Sequence, residues 1–534
     1  MKRLLLACLV AAALWSAACG GGGGSVATPP PPVGGFTNAN LNGQYAFVTN
    51  GEVFANGAVT PTPLARVGSF TADGNGGITN VGMEDTIAFG IGFNPAVPIT
   101  GGSYTVNADG RGTLTLNLTS GGVPSSINFG IVLTSTSDGL IIDETSTAAQ
   151  ASTASGNFFK QDPTAFTNPV LPVTASYVFD FSGLDGGGAP ASFVGEFTAG
   201  SGAITAGFED VNDNFVITNG AIPPGTLTQD PANTSTLTSF GRGVAQIAGA
   251  SYVFYVVDST RIRFINSTGA MLTGDAVIQS NTIPTTVSSI NSGFAFIVAG
   301  STSAGGLTRV GRLTATGASV SNVLVDSNSA ATFTQTTGAT NASITLDSAN
   351  PGRGTLTFLG NGLGTPFIFV FYLNSATQGV IQETTLSGGA PIAVADGTIA
   401  AQSGSPFSSS NITGTYALNW SGQSLQSGTP EEEDLVGQVK ASSFNLTGAA
   451  DIFQFTALAA QTNVVVGGSI MINGDGSGGD GISRNTMSVT LTSSSSTTVN
   501  FVVYFVNPQL AFIANNNQTT NRIVAGVLKA QTTP

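Results

Sequence analysis

Four aspartates and four arginines recur at matching places along this chain: Asp85 before Arg111, Asp210 before Arg242, Asp326 before Arg353, and Asp451 before Arg484. A carboxylate facing a guanidinium forms a charge-assisted pair that can clasp a fold or hold a polar group of a ligand. The 534 residues contain only 15 Lys and Arg against 29 Asp and Glu, so a cation repeated at one place has a specific task. Inside a barrel the pair could bind a ligand. The expectation is instead a structural salt bridge, or an arginine whose stem covers the sheet, because recurrence in diverged copies suits fold specification.

Other chemistry is limited by what is present. Glu84-Asp85, Glu209-Asp210 and Asp143-Glu144 set two carboxyls side by side, and glycoside hydrolysis needs two. Neighbours on a strand point to opposite faces, so these pairs do not converge on one bond, and the chain reads as a non-enzyme. Histidine is absent, which removes Ser-His-Asp catalysis and imidazole metal sites. Both cysteines, Cys8 and Cys19, lie near the N-terminus, so the body has neither disulfides nor thiolate clusters. No cofactor and no metal are expected. The stretches Asp73-Gly74-Asn75-Gly76-Gly77 and Asn473 to Gly481 have calcium-like composition but read as hairpin turns. The acidic run Glu431-Glu432-Glu433-Asp434 reads as a solvated loop. A net charge of −14 without a basic stripe excludes nucleic acid as a partner.

The elements that carry the Asp–Arg pairs are copies of one module. An aromatic, an apolar residue two on and a glycine six on recur as Tyr45-Phe47-Gly51, Tyr177-Phe179-Gly183 and Phe294-Phe296-Gly300, with Tyr416-Leu418-Gly422 as the fourth. A second signature follows at Val67-Gly68, Val194-Gly195, Val310-Gly311 and Val436-Gly437, then the aspartate, then the arginine. Each copy closes on a glycine and a glutamine: Gly156 and Gln161, Gly274 and Gln279, Gly397 and Gln402, Gly526 and Gln531. The modules are placed at 41–162, 173–280, 289–403 and 411–532, joined by short proline- or serine-rich linkers between independent domains.

Charged residues make up only 8% of the chain, against ~25% in ordinary soluble domains. Its glycine, threonine and β-branched content points to strands and tight turns, hence an all-β fold. In the first copy eight strands are predicted, around 45–49, 65–72, 77–87, 102–107, 112–118, 127–133, 139–144 and 156–161. Turn signals such as Asp138-Gly139 join them. Short connections favour an antiparallel meander that closes as a small up-and-down barrel. The alternative is an immunoglobulin-like β-sandwich. Aromatic runs such as Phe369-Val370-Phe371-Tyr372 are expected to pack a core on at least one face.

Lys2-Arg3, an apolar run from Leu4 to Trp15 and small residues Ser16-Ala17-Ala18 predict a signal peptide over 1–18. With Cys19 directly after them, the segment resembles the lipobox of bacterial lipoproteins, although Ser16 stands where an aliphatic residue is usual. The modules, in phrases such as Gly68-Ser69-Phe70-Thr71-Ala72-Asp73-Gly74-Asn75-Gly76 and Gly110-Arg111-Gly112-Thr113-Leu114, also resemble tandem repeats of bacterial lipoproteins. The resemblance implies lipidation at Cys19, a Gly/Pro-rich tether over 19–40, and export to the cell envelope with an outer-membrane destination. It carries no activity. The reading is a membrane-anchored, non-enzymatic surface, adhesion, binding or spacer protein whose partner is a glycan or a protein. The alternative is a carrier that holds a small apolar ligand inside each barrel.

Overall fold

The alternation Thr113-Leu114-Thr115-Leu116-Asn117-Leu118 becomes a strand, Arg111–Ser120, that turns Leu114, Leu116 and Leu118 into a core and leaves Thr113 and Asn117 exposed. A computed structural model describes residues 35–532 except 56–60, 147–149, 231–239, 338–339, 360–365, 405–406, 409, 411, 426–429, 455–458, 473–483 and 517–520. The proposed signal peptide, Cys19 and most of the tether lie outside the described residues, as does the 473–481 glycine-rich stretch.

All four copies are closed eight-stranded antiparallel barrels with up-and-down topology. In the first, Asn42–Ala55 pairs both with the next strand, Thr62–Asp73, and with the last, Gln150–Lys160. Closure leaves no sheet edge, whereas the immunoglobulin-like sandwich would have kept edge strands. The strands of the other barrels run within 175–278, 291–401 and 414–530. The third or fourth strand is interrupted in the first three, as in Gly77–Ile78 followed by Met83–Ala88.

The landmarks of the repeat have packing explanations. Tyr45, Phe47, Phe70, Phe129 and Phe158 fill the first barrel, with ring centroids 5.6–6.2 Å apart. Gly68 lies under the Phe47 ring: a Cβ there would be 2.7 Å from it, and the same holds at Gly195 under Phe179. In the fourth barrel Leu418 replaces the phenylalanine, and the space over Gly437 is taken by Ala450.

The barrels are not independent beads. Strands at the start of one barrel pack against strands late in the next through an apolar seam. Ala46 and Val67 meet Val253, Tyr255 and Ile265; Val178 and Val194 meet Val370 and Tyr372; Ala295 and Val310 meet Val502 and Tyr504. The fourth barrel repeats the contact on the first, where Ala417 and Val436 meet Val132, Leu140 and Ile142. The four barrels therefore form a cycle. This explains the unbroken apolar runs: Phe369 and Phe371 face a barrel interior, while Val370 and Tyr372 face a seam. A strand buried on both faces has no polar alternation to show.

Candidate functional site

The recurrent aspartate projects outward from its barrel, and its arginine partner belongs to the next barrel. Arg242 donates to both Asp85 oxygens at 2.8 and 2.7 Å, and Tyr255 adds its hydroxyl at 2.6 Å. The backbone N–H of Ala96 supplies a fourth donor at 2.8 Å, and Asp85 is fully buried. Arg353 and Tyr372 hold Asp210 at 2.7, 2.7 and 2.6 Å. Arg484 approaches Asp326 at 2.9 and 3.0 Å, with the Tyr504 hydroxyl at 2.6 Å. These recurrent pairs are clasps between barrels. The sequence pattern located both partners but not the interface, because spacing along a chain does not say which copy an outward side chain meets.

Burial works against the Arg242 charge, yet the hydrogen bonds and charge of Asp85 more than offset it and raise the guanidinium above its ordinary pKa. For Arg353 the hydrogen bonds it donates to Asp210 lead the same upward shift. Burial first, then the neighbouring carboxylate, raises Tyr255 and Tyr372, which stay neutral donors. A second acid flanks each of these arginines, Asp230 beside Arg242 and Asp347 3.3 Å from Arg353. The tyrosines were the missed members. Their signal was a tyrosine after an apolar residue on the strand opposite the arginine: Phe254-Tyr255, Phe371-Tyr372 and Val503-Tyr504.

The seam from the fourth barrel to the first is different. Arg111 is 4.0 Å from Asp451; its Nε donates to Asp109 at 2.8 Å and its Nη1 to Asn463 at 3.0 Å. Val132 faces Arg111 across the strand pair, where the other barrels have tyrosine. Burial, and then Asp451, raises the pKa of Glu144. Lys529 meets Asp138 across the same seam.

A second repeated contact runs around the whole cycle. The closing glutamine side chain donates to backbone carbonyls of the next barrel: Gln161 to Val256 at 2.6 Å, Gln279 to Leu373 at 3.0 Å and Gln402 to Phe505 at 2.7 Å. Gln531 completes the series by donating to Leu133 and Asp109 of the first barrel at 2.8 Å each. The following backbone N–H groups bond likewise, from Asp162 to Val257 and from Thr532 to Thr134.

The adjacent carboxyls do point apart. Glu84 turns inward to Arg66 at 3.0 Å while Asp85 clasps the next barrel; Asp143 joins Arg66 inside, 3.7 Å away. Asp73 closes its own turn by accepting from Asn75 and Gly77 at 2.7 and 2.9 Å. The acidic run requires a correction. Glu431-Glu432-Glu433-Asp434 opens a strand, Glu431–Ser442, instead of a solvated loop. Strand alternation sends Glu433 inside to Arg522 at 2.9 Å and Asp434 outward to Thr153 of the first barrel at 2.6 Å, both fully buried.

Around the cycle's axis the barrels leave two cavities of about 340 and 390 Å³ between them, the first mainly polar and the second with a largely apolar wall. The first is lined from three barrels, including Asn50, Asp180, Asp275 and Thr398; the second includes Asp396, Thr398, Ser421 and Glu432.

No protein-family model matches the chain, and no curated protein matches it. Among solved structures, a mutant of transferrin binding protein B from Haemophilus parasuis Hp5 is 9% identical, with 95% of this chain and 100% of that chain covered at a TM-score of 0.21. Transferrin binding protein B from serogroup B Neisseria meningitidis is also 9% identical, covering 74% and 84% at a TM-score of 0.20. A protein described as a putative AttH from Nitrosomonas europaea is 9% identical, covering 71% and 98% at a TM-score of 0.18. At TM-scores this low the matches establish no shared arrangement.

Proposed function

We propose that this chain is an exported lipoprotein, anchored through Cys19, whose four barrels act as one rigid, non-enzymatic binding platform at the cell envelope. The observation that carries the reading is the use of the recurrent charged residues. Asp85–Arg242, Asp210–Arg353 and Asp326–Arg484 lock barrel to barrel instead of converging on a reacting group. A chain built this way presents its exposed turns in fixed relative positions, which suits surface recognition. The packed aromatic interiors weigh against an apolar ligand inside each barrel: Phe181, Tyr252, Phe254 and Phe264 fill the second one with centroids 5.0–6.2 Å apart.

The anchor reading is tested by feeding labelled fatty acid to cells that express the full chain and its Cys19→Ser variant. Label on the natural chain alone, with the variant released from the membrane fraction, is the expected result. Equal label on both, or none on either, would overturn lipidation at Cys19. External protease on intact cells then reports whether the platform faces outward.

A further inference from the structure

The axial cavities carry carboxyls with no cation to meet them. In the first cavity Asp275 is paired with Arg261 at 2.9 Å and lies 3.4 Å from Arg263, but Asp180 has no such partner, and its Oδ1 is buried without a hydrogen bond. Asp180 and Asp396, from the second and third barrels, share a hydrogen bond. Burial leads both carboxyls upward, with the Asp396 charge adding to the rise at Asp180, so the pair shares a proton.

A second acidic pole stands between the fourth and first barrels. Glu432 lines the cavity and accepts from Ser421 at 3.2 Å, while the Glu52 side chain accepts from the Glu432 backbone N–H. Asp434 adjoins them, and both Asp434 Oδ1 and Glu52 Oε2 are buried without a hydrogen-bond partner. Nearby Arg522 is engaged by Glu433.

Asp396 and Glu432 therefore open onto one cavity of about 390 Å³. Between these poles its wall is apolar, with Ile297, Ala299, Leu307, Ile523 and Ala525. Among the described residues no three acidic, histidine or cysteine side chains converge as a metal cage requires. The separation of charge calls for a ligand with cations at its ends and methylenes between.

We propose that the axial cavity of about 390 Å³ is a binding site for a linear diamine or polyamine, with one ammonium at Asp396, backed by Asp180, and another at Glu432, backed by Glu52 and Asp434. An alkylammonium offers three donors on a compact charge and would meet carboxyls that have hydroxyl and carboxyl donors but no cation, Asp396 beside Ser182 and Ser192 and Glu432 beside Ser421. Its methylene stem lies on the Ile297, Ala299 and Ile523 wall, as a lysine stem lies on apolar surface. The proposal deepens the binding-platform reading and is independent of the anchor: the acylation test can fail while this one succeeds, and the reverse.

Calorimetric titration of the full chain with spermidine and putrescine, at low salt and neutral pH, tests it. The expected result is saturable one-to-one binding that weakens roughly ten- to a hundredfold in Asp396→Asn and in Glu432→Gln, the loss of one charge-assisted contact. The exposed turn variant Asp73→Asn should bind as the natural chain does. Butylamine, with a single cation, should bind at least about tenfold more weakly than putrescine. Both cavity variants remove carboxyls that lack a cation, so they should melt no lower than the natural chain. Should either fail to fold, Ala299→Lys supplies an ammonium from the cavity wall and should abolish spermidine binding. No saturable binding to the natural chain, binding unchanged in both acid variants, or equal saturation by magnesium would each overturn the proposal.

Discussion

Arg242 has Asp85 across the seam and Asp230 within its own barrel, and its side chain is only 4% exposed. Replacing it with methionine leaves a buried carboxylate held by Tyr255 and one backbone N–H, so Arg242→Met should destabilise the full chain by about 3–5 kcal/mol in urea denaturation. Adding Asp85→Asn should recover part of that loss; a double variant as unstable as the sum of the singles would show that the two residues do not act as a pair. Arg111→Met should cost less, since Asp451 stands 4.0 Å from it. Tyr372→Phe removes one donor from Asp210, and a loss of about 1–3 kcal/mol is expected on the same measurement. Recurrence in the sequence marked these aspartates and arginines. It could not mark them as inter-barrel, because a salt bridge within one module and a clasp across two modules share the same repeat spacing. The acidic run at 431–434 was misread for a related reason: charge suggested solvent, whereas strand alternation places Glu433 with Arg522 and Asp434 against the first barrel.

Strand order, closure and hairpin turns were legible because each strand has one face in its own barrel and turn residues mark its ends. The second buried face was not, since an apolar outward position reads the same whether it meets solvent, a ligand or another barrel. The closing glycine belongs to this scale. A Cβ on Gly397 would stand 2.2 Å from the Ile297 carbonyl oxygen, and on Gly274 1.7 Å from that of Asp180. The last strand thus approaches the first too closely for a side chain, at the place where the barrel closes. Gly397→Ala should force those strands apart and destabilise the chain by about 1–3 kcal/mol or more, read from the urea midpoint. An alanine tolerated without loss would mean that the barrel can relax at its closing strand pair. The partner landmark five residues later, Gln402, bonds outward to Phe505 of the next barrel, so one short strand both shuts its own barrel and fastens the following one.

At the scale of the cycle, the four seams are unequal. Three carry an Asp–Arg–Tyr clasp, while the seam between the fourth and first barrels lacks the tyrosine and gathers carboxyls: Glu52, Asp109, Asp138 and Glu144 from one side, Glu432, Asp434 and Asp451 from the other. The cations there are Arg111, shared by Asp109 and Asp451, and Lys529, which lowers the Asp138 pKa against the opposing effect of burial. Burial pushes Glu52 and Asp434 up to about 7 from their ordinary values near 4. The folded chain consequently keeps protons that the unfolded chain releases. Stability should decline as pH rises from about 4 to 7 and level off above that, because over this interval the unfolded state binds fewer protons than the folded one. Asp138 contributes in the opposite sense, its share being lost only as pH falls through its lowered pKa. Glu52→Gln should flatten the decline near neutrality. If the carboxyls act at this seam, hydrogen exchange measured at pH 8 should rise first in the strands Asp138–Asp143 and Glu431–Ser442, while the seams with tyrosine clasps stay protected. Equal exchange at all four seams would place the pH dependence elsewhere in the molecule. A polyamine in the axial cavity would act on the same balance, since its ammonium replaces the protons on Glu432 and its neighbours. Added spermidine should therefore restore protection to these two strands at pH 8, where magnesium chloride at matched ionic strength should not.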